Sequence, residues 1–247
     1  MEKIKWNQYE QFMRLGIGIL CMITCFIVEW GVIDRLTYQA YEVRYQADLE
    51  SFRQNSIEYV LYYKRNEVYD IWLEERFQAI YKEMQYFPVE KSYIQSIDYV
   101  DSWYGERSYG GERRHEGTDL MSDSNVRGEI PIVSMTDGVV KNMGWLQLGG
   151  WRIGIESESG VYYYYAHLDS YAENLQIGSR VYAGQLLGFM GDSGYGEEGT
   201  TGMFDVHLHL GIYIYDDLGK EISVNPYPFL ELMQGNYHSW LKYDDFE

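Results

Sequence analysis

Hydrophobic positions along this chain fall into three regimes. The first, Leu15 to Ile33, is apolar throughout apart from Thr24 and Glu29, and its length is close to the roughly 20 residues that a bilayer-spanning helix requires. The second, Val32 to Phe87, holds neither glycine nor proline and is rich in Glu, Gln, Arg, Ala and Leu, a composition that predicts helix. Within it Ile57, Val60, Leu61, Val68, Ile71 and Trp72 recur at intervals that suit a helical stripe better than alternation. The third regime begins at Phe87-Pro88-Val89. From Gly105 onward lie 22 of the 25 glycines, and short apolar runs alternate with turn signals such as Asp137-Gly138, Gly149-Gly150, Glu158-Ser159-Gly160 and Gly178-Ser179. Between these turns, strands are predicted over Ile130–Ser134, Gly138–Lys141, Trp151–Glu156, Val161–Ala166, Arg180–Ala183, Leu186–Met190 and Val206–Tyr215.

The expected organisation follows from these regimes: a cytoplasmic segment 1–14, a transmembrane helix 15–33, a helical juxtamembrane segment 34–86, a mainly β domain 87–230 and a tail 231–247. Lys3, Lys5 and Arg14 precede the apolar span, whereas Asp34 to Glu50 carries two arginines against four acids. The positive-inside rule then places the N-terminus in the cytoplasm and the bulk of the chain outside, as a single-pass protein of the cell membrane. Glu29 and Trp30 lie near the far end of the span, at headgroup depth. A cleaved signal peptide shares the basic start, but no clear small-x-small site follows the apolar run. Residues 34–86 offer a surface for self-association or for a membrane-protein partner; a spacer packed on its own neighbour is the simpler expectation, and packing on the downstream domain is the third.

Charge narrows the partners. A net charge of −18 and a pI near 4.6 oppose binding to a polyanionic backbone, so nucleic acid is not expected. The compact basic cluster that stands out is Arg107 with Arg113 and Arg114. Cys21 and Cys25 both fall in the apolar span, which leaves the β region without a disulfide framework or a thiolate metal site.

The candidate chemistry is carried by histidine. Four of the five histidines fall in three compact motifs, in the order His115-Glu116-Gly117-Thr118-Asp119, Tyr165-Ala166-His167-Leu168 and His207-Leu208-His209. Side chains of a strand alternate faces, so His207 and His209 should share one face while Leu208 and Leu210 take the other. A catalytic zinc site uses three protein ligands and leaves a position open. One His and one Asp from the first motif with one His from the last make such a set, and two imidazoles remain for proton transfer and charge stabilisation. Gly191 to Gly202, rich in glycine and acids, directly precedes the last motif and is long enough to be a functional loop.

In this combination, over roughly Phe87 to Phe229, the chain resembles the M23 (LytM/lysostaphin-like) family of zinc metallopeptidases, which cleave peptide cross-links or stems of peptidoglycan. The family's His-x-Gly-x-Asp matches His115 to Asp119, its Tyr-x-His-Leu matches Tyr165 to Leu168, and its His-Leu-His matches His207 to His209. Val181 to Gln185 and Asn225-Pro226 match two further family segments. The resemblance implies an antiparallel β-sheet domain with zinc (Zn2+) held by His115, Asp119 and His209, and with His167 and His207 as catalytic residues beside the water and the oxyanion. It implies a peptidoglycan peptide as substrate. Val206 stands where the family usually has proline, Leu210-Gly211 replaces a common Phe-Glu, and Asp192, Glu197, Glu198 and Asp205 make the preceding loop acidic. These departures bear on the groove walls and leave the ligand set intact. A non-catalytic scaffold that binds a partner protein or wall peptide in a division or sporulation complex is the alternative, and the full set of five motif residues favours the enzyme.

Overall fold

The computed structural model describes residues 67–108, 111–235 and 237–238. The expected span at Leu15–Ile33, most of the segment 34–86 and the end of the tail lie outside the described residues. Among the described residues no helix is long and apolar enough to cross a membrane.

An antiparallel sheet of ten strands dominates the described chain. Its middle is β8 (Tyr162–Tyr171) paired with β11 (His207–Tyr215). Beyond β11 lie β4 (Thr118–Ser122) and β1 (Ile97–Tyr99); beyond β8 lie β7 (Gly150–Glu156), β6 (Gly138–Leu146) and β9 (Arg180–Val181). β10 (Leu186–Met190) bridges β8 to β5 (Pro131–Val133), and β12 (Glu221–Val224) pairs with β11. β2 (Glu106–Arg107) and β3 (Arg113–Arg114) form a separate two-stranded ribbon. The fold is thus mainly β, as the alternation of short apolar runs and turns predicts.

Strand β11 shows why the sheet has one wet and one dry face. Leu208, Leu210 and Ile212 are fully buried and Ile214 nearly so, whereas His207 and His209 occupy the alternate positions. Burying each such aliphatic side chain contributes about 1.5–3 kcal/mol, so a one-residue slip that exposed all four would be prohibitive. Ile153 and Ile155 of β7 and Tyr163 and Tyr165 of β8 continue the dry face. Tyr165 satisfies its hydroxyl oxygen there by accepting a hydrogen bond from Met135 N–H of the adjacent loop at 2.9 Å.

Helix α1 (Glu67–Glu83) is anchored to the β domain. Leu73, Phe77 and Ile80, with Met84 just beyond the helix, form a buried stripe at spacings of four, three and four. Phe77 and Tyr81 pack on Phe229 at ring-centroid distances of 5.7 and 4.5 Å. Phe229 lies in α2 (Tyr227–Leu232), the short helix that follows Asn225-Pro226. Glu83 accepts hydrogen bonds from Ser159 N–H (3.0 Å) and Ser159 Oγ (2.9 Å), and Arg76 Nη1 donates to the Ser159 carbonyl (2.9 Å). The part of the segment 34–86 that is described is therefore built into the β domain and is not a spacer. Its buried stripe is also offset from the predicted one: Ile57 to Leu61 lie outside the described residues, and Leu73 rather than Trp72 is the fully buried position.

The predicted strands recur with shifted ends. β6 continues to Leu146 and β8 to Tyr171, past His167, where sequence alone ends the run. β1, β4, β12 and the β2–β3 ribbon are additional elements.

Candidate metal centre and groove

The alternation of β4 builds one side of the site. Thr118 and Leu120 are fully buried, which turns Asp119 and Met121 to the opposite face. Strand pairing sets Asp119 directly opposite His209, and Met121 opposite His207. His115 arrives from the turn just before β4, its backbone held by exchange with Tyr104 and Gly105. The result is a tight triangle: His115 Nε2 lies 3.0 Å from Asp119 Oδ1 and 3.1 Å from His209 Nδ1, and His209 Nδ1 lies 2.9 Å from the same Asp119 oxygen.

These three donors fit a divalent ion. Tetrahedral zinc with ligands at about 2.0–2.2 Å spaces its donors roughly 3.3 Å apart, close to the separations here. Outer contacts fix two of these three candidate ligands, as metal sites require. His115 Nδ1 lies 3.1 Å from the Ser102 carbonyl and 3.0 Å from Ser102 Oγ, which directs Nε2 inward. Arg107 Nη2 donates to Asp119 Oδ2 at 2.7 Å, leaving Oδ1 for the cluster. Burial alone would raise the Asp119 pKa, but hydrogen bonds from His115 and His209 and the charges of His209 and His207 outweigh it. The carboxyl is held well below the usual range and stays ionised, as a ligand must.

The other two histidines face the same space, His207 from the same strand as His209 and His167 from β8. His167 reaches it through a bulge in β8. Its φ is +62°, and the β8 pairing with β7 shifts register at this point. The extra residue turns the His167 ring toward the groove, where strict alternation would place it on the dry side with Tyr163 and Tyr165. His167 Nδ1 donates to the Ser193 carbonyl at 2.7 Å, and His207 Nδ1 donates to the Asp205 carbonyl at the same distance. Both rings therefore carry the proton on Nδ1 and leave Nε2 as the free nitrogen. Their centroids are 4.7 Å apart, and Phe204 packs on both at 4.6 and 5.0 Å. Burial, reinforced by the charges of His207 and His209, pushes the His167 pKa well below its ordinary value, so this imidazole is neutral. Burial likewise lowers that of His209.

All five motif residues thus meet around one open cavity of about 960 Å³. Its walls include residues that motif reasoning does not single out. Tyr195, from the acidic loop, accepts from Arg113 Nη2 at 3.0 Å and packs against Phe204. Ser193 locks the bulge: its Oγ donates to the Leu168 carbonyl at 2.6 Å and accepts from Trp151 N–H at 3.0 Å. The basic cluster abutting the first motif is the visible signal for Arg107 and Arg113; the two loop residues have none. Asp192 of the same loop works structurally, accepting from Gly202 N–H at 2.9 Å.

Two imidazoles and a carboxylate at the floor of an open groove are the donor set of zinc hydrolases, on a sheet that keeps them rigid. Comparison with known proteins narrows the class. Residues 113–226 match Peptidase family M23. The L-Ala--D-Glu endopeptidase of Bacillus subtilis (strain 168) is 34% identical over 217 residues, which cover 84% of this chain and 60% of that protein's length. A structure of lytM from Ruminococcus gnavus ATCC 29149, described as a proposed glycyl-glycine endopeptidase, is 52% identical. It covers 73% of this chain and 72% of its own, with a TM-score of 0.64. Glycyl-glycine endopeptidase ALE-1 of Staphylococcus capitis is 29% identical over 119 residues, 47% of this chain and 29% of that protein. The chain belongs to peptidase family M23.

Proposed function

We propose that this chain is a membrane-anchored zinc metalloendopeptidase that hydrolyses peptide bonds of cell-wall peptidoglycan. One observation carries the reading: His115 Nε2, Asp119 Oδ1 and His209 Nδ1 converge within 3.1 Å of one another at the floor of a groove whose wall holds two further imidazoles. The similar proteins that bear endopeptidase names support it. Those names divide between an L-Ala–D-Glu and a glycyl-glycine bond, so the substrate is stated as peptidoglycan peptide.

Zinc held by His115, Asp119 and His209 would polarise the scissile carbonyl and make water acidic enough to attack it at neutral pH. The chain's own groups handle the protons. His167 is neutral with Nδ1–H committed to Ser193, so its Nε2 is a base aimed at the groove. Once that nitrogen takes a proton it becomes a donor, able to stabilise the oxyanion or protonate the departing amine. His207, tied through Nδ1 to Asp205, has the same free nitrogen on a ring 4.7 Å from that of His167. Ser193 and the bulge at His167 hold the first of these rings; Asp205 holds the second.

The anchor rests on the apolar run Leu15–Ile33 and on the basic residues before it, which put the catalytic domain outside the cytoplasm. A reporter active only outside the membrane, fused after Tyr41, should give signal; signal restricted to the cytoplasm would reverse the topology. For the activity, the full chain is loaded with zinc and incubated with peptidoglycans of different cross-bridge, and the products are read by mass spectrometry. New peptide ends are expected. Zinc bound with every peptidoglycan left intact would replace the enzyme by a binding scaffold.

A further inference from the structure

Four arginines line the groove of a protein whose net charge is −18. Three are engaged by their own chain: Arg107 with Asp119 (2.7 Å), Arg113 with Tyr195 Oη (3.0 Å) and Arg114 with Glu106 (3.3 Å). Arg152 is different. Its Nη1 is shut off from solvent and meets no hydrogen-bond acceptor among the described residues. A guanidinium is charged at every accessible pH. Arg152 is half-buried, but a shielded guanidinium nitrogen without an acceptor is costly, so its presence in a groove wall points to a partner that arrives from solution.

The sheet register places this group relative to the metal ligands. On β7, Trp151 pairs with Leu168 and Ile153 with Tyr165, so Arg152 falls opposite the bulge at Ala166 and His167. Ala166 in turn pairs with His209. Arg152, Ala166 and His209 therefore form a row across three adjacent strands. At about 4.8 Å per strand the backbone of Arg152 is roughly 10 Å from that of His209, the span of about three extended peptide residues.

The floor beside Arg152 is aromatic and close-packed. A β-carbon at Gly149 would lie 2.1 Å from Tyr164 Oη, and one at Gly154 would lie 1.8 Å from Tyr162 Oη, so these glycines make room for rings laid down on the sheet. The Arg152 charge is near enough to act on the phenols of Tyr162, Tyr164 and Tyr171. Such walls exclude water and strengthen a charge-assisted hydrogen bond to an incoming anion.

We infer that Arg152 is a specificity-determining residue that receives a carboxylate of the peptide substrate, within about three residues of the scissile bond. The inference rests on the reading of this groove as a peptidase site, and it commits the substrate to an acidic peptide. A neutral oligoglycine bridge offers the guanidinium nothing but backbone carbonyls.

The test uses two pairs of synthetic stem peptides, with all other carboxyl groups amidated. One pair differs only in a free or amidated D-glutamyl α-carboxylate, the other only in a free or amidated carboxylate on the diaminopimelyl side chain. Dissociation constants are measured on the full zinc-loaded chain carrying His167→Ala, which slows turnover. In at least one pair the free acid should bind about 10- to 100-fold more tightly than the amide. Arg152→Gln in the same background should abolish that difference while leaving affinity for the amide and zinc content unchanged and the melting temperature unchanged or higher, since the unpartnered guanidinium is gone. Arg152→Lys, which keeps charge without the planar fork, should retain part of it; it decides the matter if the glutamine variant fails to fold. No discrimination in either pair, or discrimination that survives both substitutions, overturns the role of Arg152. Hydrolysis by the chain with His167 intact is read separately. Carboxylate preference without any hydrolysis would sink the peptidase reading and leave Arg152 standing.

Discussion

Gly117 lies so close to His209 that a β-carbon at position 117 would stand 2.5 Å from His209 Cε1 and 2.7 Å from its Nε2. The same atom would stand 2.6 Å from the Leu210 carbonyl, which is backbone and cannot swing aside. The glycine between His115 and Asp119 is therefore required by volume: the turn into β4 passes against the imidazole that completes the candidate ligand set. Gly117→Ala should push His209 out of line and weaken zinc affinity by about 10- to 100-fold, the usual cost of disturbing a ligand's support. Competition with a chromophoric chelator measures this, and wild-type affinity in the variant would show that the turn can retreat.

The ligand assignment makes a sharper distinction. His115→Ala, Asp119→Ala and His209→Ala each remove one corner of the triangle and should strip the metal, whereas His167→Ala should keep it. Atomic absorption on the purified variants is the measurement. Full zinc occupancy in the His209 variant would mean that another group, with His207 Nε2 at 3.9 Å from Asp119 the nearest candidate, takes its place.

Proton handling is separable from metal binding. Loss of a proton-transfer group typically costs about 10²–10⁴ in rate, so His167→Ala and His207→Ala should retain zinc and fold yet lose most turnover on peptidoglycan. Turnover within a few-fold of wild type in both variants would remove these histidines from the mechanism.

What the sequence made legible, and what it hid, follows from the kind of signal involved. His207 and His209 were readable because the leucines between and after them betray strand alternation, and the structure puts both rings in one cavity. Strand β4 was hidden in plain view. Thr118-Asp119-Leu120-Met121-Ser122 buries its threonine and serine and turns its aspartate outward, so polarity misreports which face is dry. The bulge at His167 leaves no mark either: the sequence reading stops the strand at Ala166, whereas β8 runs on to Tyr171 through a His167 whose backbone enters the left-handed region. Helix α1 was legible as helix, but its partner was not: nothing local in Phe77 says that Phe229 will meet it. The guanidinium of Arg152 could be found only by asking which charges lack partners once the chain is folded.

Because α1 belongs to the core, its buried aromatic ring should matter as much as any in the sheet. Phe77 is almost fully buried against Phe229, and Phe→Ala in such a site costs about 3–5 kcal/mol. Phe77→Ala should lower the denaturation midpoint of the β domain itself. A helix acting as a detached spacer would leave that midpoint unchanged.

The tyrosines of the sheet predict the chain's response to base. Burial pushes the Tyr99 pKa up to about 12, and it raises Tyr163, Tyr164, Tyr165 and Tyr213 further. In the unfolded chain these phenols ionise near pH 10. Between about pH 10 and the folded values the unfolded state therefore holds fewer protons than the native one, and stability must fall as pH rises. Below about pH 10 both states are protonated at these groups and their contribution is fully present. Denaturant unfolding at a series of alkaline pH values should show a plateau and then a steep loss, with tyrosinate absorbance rising together with unfolding and not before it. Tyr99→Phe removes one proton from this linkage, so the slope between about pH 10 and 12 should fall by roughly one proton, even though the variant also gives up the hydrogen bonds to Glu231 and Gln234. Stability that stays level to about pH 12, or tyrosinate absorbance that is complete while the fold is intact, would show that the tyrosine hydroxyls reach water in the native state.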